Sequence, residues 1–215
     1  MSSMTKAVFG EKEAAHYLRA VARQMPFAMA LGLNATGDFA QSAIKAQVGR
    51  SFTLRQAAFS RNTIVRLKGE GDFATKRKPS ATIRIDSRTD SKGSKRDYLA
   101  KFVAGGVKRP TSGRTVAVPV NAPRNAAGII TRSNRPKALQ GKKGYERIAT
   151  DRGKDFLVRF SGRGKRGRLT VLYALKPSVP IRAQFPMFRV AEQAVNASWH
   201  DAVANGIDTA LRTAK

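Results

Sequence analysis

The sequence predicts an α+β fold, in which a small antiparallel β-sheet packs with N-terminal helices and a long C-terminal helix, and long basic loops join these elements. Apolar residues recur at helical spacing at both ends of the chain and alternate with polar residues in its middle. Apolar residues make up 41% of the 215 residues, which is enough for a hydrophobic core. We therefore expect residues 1–215 to form a single α+β domain.

Two helices are predicted in the N-terminal part of the chain. In the first, over residues 11–25, apolar side chains fall on one face. Pro26 is expected to end this helix and to occupy the first turn of the second, which Gly49 ends. The second helix carries a stripe of small and apolar residues, which predicts close packing in the core or against a neighbouring subunit. The stripe consists of Ala30, Leu33, Gly37, Ala40 and Ile44.

Five strands and one short helix are predicted in the middle of the chain. The strand segments combine β-branched residues with alternating apolar and polar side chains. They read NTIVRLKG, SATIRID, RTVAVPV, DFLVRF and RLTVLYAL in chain order. The short helix is expected over residues 97–106, where two glycines stop it. Residues 120–150 show no regular period, and the wider segment 106–150 is predicted to form an extended basic loop or arm within the domain.

The C-terminal segment has the clearest helical pattern. Pro186 is expected to mark the start of this helix, whose apolar stripe runs from Phe188 to Leu211. The stripe covers about 25 residues, or about 38 Å of helix. Trp199 stands in the middle of the stripe and is therefore expected to be largely buried, in the core or at a subunit interface.

A cationic segment, RFSGRGKRGRLTV at residues 159–171, joins the last two predicted strands. Because strand-like runs flank it on both sides, it is predicted to be a β-hairpin with a flexible tip. The tip is expected to face a polyanion through phosphate contacts that do not depend on base sequence. An ordinary solvated loop is the alternative. The four cations of the tip are Arg163, Lys165, Arg166 and Arg168.

No catalytic arrangement is recognised in the sequence. There is no Cys, and the two histidines, His16 and His200, lack a second histidine at metal-ligating spacing. The run GRGKRGR lacks the residue order of a phosphate-binding loop. Asp151 and Asp155 are expected in a loop leading into a strand, where their spacing has no special geometry. We therefore expect no enzyme activity and no catalytic, cofactor-binding or metal-binding residues.

The chain is strongly basic. It has 41 Lys or Arg against 14 Asp or Glu, a net charge of +27, and residues 61–168 carry +21 of it. Such a charge predicts a negative neighbour: nucleic acid, an acidic membrane or acidic proteins in an assembly. No apolar run approaches the roughly 20 residues of a membrane span, and the N-terminus lacks an apolar core of the signal-peptide type. We expect a protein without a membrane partner that is made in the cytosol and is used there or built into a particle.

The order of these elements resembles the minor tail protein Z family of tailed bacteriophages, also described as tail completion or neck proteins. The Ala-rich helix FAMALGLNATGDFAQSAIKAQV is followed by a basic stretch, by SATIRID and by DYLAKFVAGG. The strongest element is KPSVPI followed by FPMFRVAEQAVNASW, where a strand passes through a proline-containing turn into the final helix. The resemblance covers roughly residues 20–213 and consists of residue-type patterns rather than a catalytic signature.

The resemblance implies a structural virion protein, made in the host bacterial cytoplasm and placed in the neck at the head-proximal end of the tail. There a homo-oligomeric ring would complete the tail and join it to the head. The implied neighbours are the tail terminator, the tail tube, the head–tail connector and the genomic DNA in the channel. A cytosolic, non-catalytic RNA- or DNA-binding protein of the ribosomal-protein or nucleoid type is the alternative. The long C-terminal helix and the small-residue stripe favour the virion protein, because both indicate close packing between protein elements.

Overall fold

The computed structural model describes residues 10–55, 63–85, 99–111, 113–151, 153–162 and 167–213, with the backbone of 88–89 and 95–96. Helices and antiparallel strands are both present, so the predicted α+β class is confirmed. The chain divides into two compact units. The helical unit comprises Met1–Phe52, Ala58–Asp97 and Phe185–Lys215, and the sheet unit comprises Thr53–Ala57 and Tyr98–Gln184.

Four helices and ten strands are assigned in the described residues. The helices are α1 (Glu11–Ser51), α2 (Ala100–Ala104), α3 (Pro136–Leu139) and α4 (Met187–Arg212). The strands are β1 (Ile64–Val65), β2 (Arg84–Ile85), β3 (Arg88–Thr89), β4 (Lys95–Arg96), β5 (Gly106–Lys108), β6 (Val116–Pro119), β7 (Tyr145–Ala149), β8 (Asp155–Ser161), β9 (Arg168–Lys176) and β10 (Val179–Ile181). Single 3₁₀ turns lie at Lys68–Glu70 and Arg132–Asn134.

Helix α1 is continuous from Glu11 to Ser51 and contains Pro26, so the prediction that Pro26 separates two helices was wrong. A proline inside a helix leaves the carbonyl four residues earlier without an amide donor. Here that carbonyl belongs to Ala22. Ala22 and Pro26 are both exposed, so water can solvate the carbonyl, and the missing hydrogen bond does not end the helix.

Helices α1 and α4 pack against each other in the helical unit. Val203 is next to Gly32 and Gly206 is next to Ala28, so the two helices are antiparallel. The buried residues of α4 are Met187, Ala194, Gly206 and Ala210, three of which are small. A Cβ atom at Gly206 would lie 2.5 Å from the carbonyl oxygen of Ala28, so glycine is what permits this close approach.

The predicted apolar stripe of α4 only partly coincides with its buried face. Pro186 directly precedes the helix, as predicted. Phe188, however, is 74% exposed and Val195 is 37% exposed. The face with the smallest side chains makes the contact, because it allows the two helix backbones to approach most closely, and this leaves larger apolar residues outside it.

Strands β1 and β2 form a two-residue antiparallel pair within the segments predicted as the first two strands. The buried carboxylate of Asp72 lies beside this pair and accepts hydrogen bonds from the Leu67 amide, at 2.8 Å, and from the Arg84 guanidinium. Burial alone raises the pKa of Asp72, but the hydrogen bonds from Arg84 and Leu67 outweigh it, and the pKa lies below its ordinary value.

We expect the Asp72 interactions to make the folding stability sensitive to acid. A carboxyl whose pKa is lowered by folding stabilises the protein above its unfolded-state pKa of about 3.9. This stability is lost as the pH falls below that value and through the lower folded-state pKa. Urea unfolding between pH 7 and pH 3 should show that Asp72→Asn is less stable at neutral pH and that its difference from the wild type narrows below about pH 4. If the free energy of unfolding of Asp72→Asn differed from that of the wild type by the same amount at every pH, this role of Asp72 would be contradicted.

The sheet unit contains a four-stranded antiparallel sheet with the strand order β6-β9-β8-β7. Strands β6, β8 and β9 lie in segments predicted to be strands, whereas β7 was not predicted. Pro119 ends β6, which is an edge strand, where a proline removes no hydrogen bond from the sheet interior. Strands β5 and β10 form a separate antiparallel pair. The predicted short helix is α2, and Gly105 follows it with a φ of +77°.

Residues 106–150, predicted to form an extended basic loop or arm, contain part of the sheet and part of its core. Strands β6 and β7 and helix α3 all lie in this segment. Ala122 and Leu139 from the connection between β6 and β7 pack in a hydrophobic cluster with residues of the central strands. Those strand residues are Leu157, Leu172, Tyr173 and Leu175. The connection is therefore folded against its own sheet.

Candidate polyanion-binding surface

The sheet unit carries most of the positive charge. Its segment Tyr98–Gln184 has 20 Lys or Arg and three acids, Glu146, Asp151 and Asp155. Among the described residues of this unit, Arg147 and Asp155 form the only ion pair. The remaining described cations of the unit therefore have no carboxylate partner in this part of the chain, and the surface favours a negatively charged ligand.

The predicted hairpin is confirmed as strands β8 and β9. Ser161 and Arg168 are the last paired residues, and the Ser161 hydroxyl donates to the Arg168 carbonyl at 3.3 Å. Gly162 follows with a φ of +92°, in the left-handed region that favours glycine. Arg168 is exposed, whereas Arg163, Lys165 and Arg166 lie outside the described residues. Their contact with a polyanion stays a prediction.

Hydrogen bonds fix the connection between β6 and β7 to strand β9. The amide of Val120 donates to the Leu172 carbonyl at 2.9 Å, and the Tyr173 hydroxyl donates to the Asn134 carbonyl at 2.6 Å. The connection is thus held at its start and again near its middle. It presents a set of exposed cations on a fixed backbone. These cations are Arg124, Arg132, Arg135, Lys137, Lys142 and Lys143.

Two arginines of the sheet unit meet at one backbone carbonyl. Arg124 Nη1 donates to the Gly128 oxygen at 3.0 Å, and Arg55 Nη1 donates to the same oxygen. Both arginines are exposed. Gly128 has a φ of +71°, and a Cβ atom there would overlap the Arg55 guanidinium. A glycine is therefore required at this position both for the turn and for the arginine that lies over it.

Tyr173 links these cations to the core of the sheet. Burial raises the pKa of its hydroxyl, and the nearby charges of Arg124 and Arg135 act in the opposite direction. The hydroxyl therefore keeps its proton at neutral pH and donates a hydrogen bond to the Asn134 carbonyl oxygen. Because both charges act on this one hydroxyl, Arg124 and Arg135 lie in the same region of the sheet unit.

The small-residue stripe predicted for packing is mostly buried in the helical unit. Ala30, Ala40 and Ile44 are buried, and Leu33 is half-buried. Gly37 is also buried, and a Cβ atom there would lie 2.7 Å from Arg66 Cζ. Part of this stripe therefore packs against the chain itself. A role in a subunit interface stays a prediction.

Arg66 fills the space that Gly37 leaves. Its side chain is 1% exposed, and it stacks on the Phe73 ring with Cζ 4.2 Å from the ring centroid. Its Nη1 lies 2.5 Å from Asp38 Oδ1 and 2.9 Å from the Asn34 carbonyl oxygen. The Arg66 guanidinium thus connects α1 to the strand segment that follows β1.

Trp199 is half-buried within the chain, and its larger burial at a subunit interface stays a prediction. It lines an open pocket with Val195, Asn196 and His200. Its position follows from the shift of the contact face of α4 towards small residues. Within the described ranges, no group of three His, Cys, Asp or Glu is close enough to hold a metal ion. None of the described helices combines the length and apolarity of a membrane span.

The pairing of Arg55 with Arg124 was not predicted, because 69 residues separate them in the chain. The sequence RNAAGII, residues 124–130, does contain a pattern that indicates the turn next to Arg124. There Asn125 and Gly128 are typical turn residues. The structure forms this turn: the Gly128 amide donates to the Asn125 carbonyl at 2.8 Å, and the Ile129 amide donates to Asn125 Oδ1 at 2.8 Å.

Comparison of the chain with models of known protein families, with characterised proteins and with solved structures gives no match.

Proposed function

We propose that the chain is a structural virion protein of a tailed phage, acting in the neck at the head-proximal end of the tail. In this proposal, identical subunits form a ring around the DNA channel, complete the tail and join it to the head connector. The tail terminator and the tail tube are the proposed neighbours on the tail side. The observation that carries the proposal is the presence of two surfaces without partners in the described residues: an apolar helix face and the cationic surface of the sheet unit.

The apolar face lies on the first turns of α1. Tyr17 is 63% exposed, Leu18 is 65% exposed and Met25 is 39% exposed. Because Gly206 lies opposite Ala28 and α4 ends at Arg212, α4 reaches only to about residue 22 of α1. About eleven residues at the start of α1, or about 16 Å of helix, therefore lie beyond the described end of α4. An exposed apolar stripe of this kind is typical of a protein–protein contact.

We propose a second copy of the chain as the occupant of this face. Two copies of a protein with a net charge of +27 repel each other over most of their surfaces. Residues 11–25 are an exception, because they contain three Lys or Arg and two Glu and so are close to neutral. This segment is therefore where two copies can approach with little electrostatic cost while burying apolar side chains.

Replacing Tyr17 and Leu18 by serine should weaken or abolish self-association, because it removes the largest exposed apolar side chains of the face. Size-exclusion chromatography with light scattering should give a multiple of the chain mass for the wild type and a smaller species for Tyr17→Ser/Leu18→Ser. The matched control is His16→Ser/Arg19→Ser, which changes two exposed residues on the opposite face of the same helix. A monomeric wild type, or a double variant that assembles like the wild type, would contradict the proposal.

A nucleic-acid-binding protein without a role in assembly is the second candidate. The observation that favours it is the ratio of 20 cations to three acids in Tyr98–Gln184. The two candidates differ in oligomeric state. The assembly protein should form a defined oligomer in the absence of nucleic acid, whereas the second candidate should stay monomeric until nucleic acid is added.

A further inference from the structure

We propose that Arg55 and Arg124, which meet at the Gly128 carbonyl, form a binding site for a backbone phosphate of nucleic acid. Neither arginine is among the four cations of the hairpin tip. The site is also independent of the proposed role in a phage neck, since it rests on the contacts of the sheet unit alone.

The first argument is electrostatic. Two guanidinium groups donate to one carbonyl oxygen, so two positive charges lie close together. In the described part of the chain, neither Arg55 nor Arg124 forms an ion pair with a carboxylate. Arg135 adds a third cation to this region, because it acts with Arg124 on Tyr173. An anion bound between these groups would relieve their repulsion, whereas no carboxylate among the described residues of the sheet unit does so.

The second argument is that the turn holds the pair in place. Asn125 closes the turn around Gly128, since its amide donates to the Ile129 carbonyl at 3.0 Å and its side chain accepts from the Ile129 amide at 2.8 Å. Ile130 packs against the core cluster of the sheet. The Gly128 carbonyl is thus fixed in position, and it orients both guanidinium groups before a ligand arrives.

The third argument concerns the chemistry of the ligand. A guanidinium presents its N–H donors in a planar fork that matches two oxygens of a phosphate. Both arginines keep donors besides the one directed at Gly128, because each guanidinium has five N–H groups. Both side chains are exposed, so a phosphate on the outside of a long polymer can reach them. A phosphodiester of duplex DNA fits these features, and the duplex carries further phosphates that other exposed cations could contact.

The test uses the full-length protein and a fluorescent duplex DNA, with binding followed by anisotropy at several KCl concentrations. Arg55→Gln/Arg124→Gln should make the slope of log K against log salt shallower by about 0.9 to 1.8, since each phosphate contact contributes about 0.9. One lost contact corresponds to about an eightfold loss of affinity at about 0.1 M salt. The control is Lys176→Gln/Arg182→Gln, which removes two exposed cations of the same unit. The control should leave the slope close to that of the wild type.

A variant that keeps the charge separates geometry from net charge. Gly128→Ala places a Cβ atom where Arg55 Nη1 now lies, so Arg55 must move while both arginines remain. We expect weaker duplex binding with no change in net charge, with circular dichroism confirming that the protein is folded. If the arginine double variant and the control reduce the slope equally, or if neither changes it, the proposed site is wrong.

Inorganic phosphate distinguishes a polymer site from a site for a small anion. Raised thermal stability with duplex DNA, and none with the same concentration of inorganic phosphate, would support the proposal. Equal protection by both would overturn the assignment to nucleic acid. A neutral tip variant, with Arg163, Lys165, Arg166 and Arg168 changed to Gln, should lower affinity further when combined with the arginine double variant. No additional loss would show that the two regions are not separate sites. None of these outcomes depends on the oligomeric state, so they test the site apart from the proposed function.

Discussion

Replacing Gly206 by leucine should lower the free energy of unfolding by about 3 kcal/mol, at the upper end of the usual range for overpacking. Even the first atom of the new side chain would lie 2.5 Å from the Ala28 carbonyl oxygen and 3.2 Å from the Gly32 nitrogen. Both neighbours are backbone atoms of α1, which cannot turn aside as a flexible side chain can. The two helices would therefore have to separate along their contact. Chemical denaturation followed by circular dichroism measures the loss.

Gly49→Ala is the matched control for this prediction. Gly49 is likewise a helical glycine, in α1, but a Cβ atom there would have no neighbour within 4 Å. Alanine is a better helix former than glycine by about 1 kcal/mol, so this variant should be as stable as the wild type or slightly more stable. Equal stability of Gly206→Leu and Gly49→Ala would show that α1 and α4 do not approach each other as closely as described.

Replacing Gly37 by leucine should cost about 3 to 5 kcal/mol. Overpacking contributes about 1–3 kcal/mol, and a lost hydrogen bond to a charged group contributes about 1.5–3 kcal/mol. The new side chain would occupy the place of the Arg66 guanidinium, which then loses its contacts with Asn34, Asp38 and the Phe73 ring. Because small domains are stable by only about 5–15 kcal/mol, this is a large part of the total.

A second substitution shows whether the collision with Arg66 causes the loss of stability at Gly37. Arg66→Met removes the guanidinium that collides with the new residue, so Gly37→Ala should cost less in the Arg66→Met background than in the wild type. The four free energies of unfolding from this double-mutant cycle give the coupling directly. Additive effects would mean that Gly37 is needed for some contact other than Arg66.

The fold class and the hairpin could be predicted because they depend on local patterns. The alternation in DFLVRF and RLTVLYAL is a property of neighbouring residues, and strands β8 and β9 occupy these segments. Strand β7, by contrast, has the irregular sequence YERIA and is defined by its pairing with β8. A strand that forms because of its pairing with a neighbouring strand cannot be recognised from its own sequence alone.

Contacts between segments that are distant in the chain could not be predicted from local sequence patterns. The place of Gly37 beneath Arg66 depends on how a later strand returns to α1, and no local spacing encodes it. The apolar stripe of α4 was assigned from apolar residues at helical spacing, without regard to side-chain size, although the close contact with α1 lies at Gly206. The prediction that Pro26 separates two helices was wrong for a similar reason. The effect of this proline depends on whether the Ala22 carbonyl, which loses its hydrogen bond, is exposed to water.

The sequence analysis located a candidate site at the hairpin tip, whose contact with a polyanion stays a prediction, and it did not locate the Arg55–Arg124 pair. The charge excess of residues 61–168 correctly indicated the part of the chain that carries the cations. It did not indicate that Arg55, from outside this segment, meets Arg124 at Gly128. This contact requires the turn at Asn125 and the packing of the segment that contains Arg55 against the sheet unit. Both are properties of the folded molecule.

Electron microscopy of the purified full-length protein, with and without duplex DNA, tests the proposed function most directly. The proposal predicts a closed ring of identical subunits that forms without DNA, with the first turns of α1 between neighbouring subunits. It further predicts that Arg55 and the exposed cations of the connection between β6 and β7 line a central opening wide enough for a DNA duplex. Monomeric particles in both conditions, or an assembly without a central opening, would contradict the proposed role as a ring around the DNA channel.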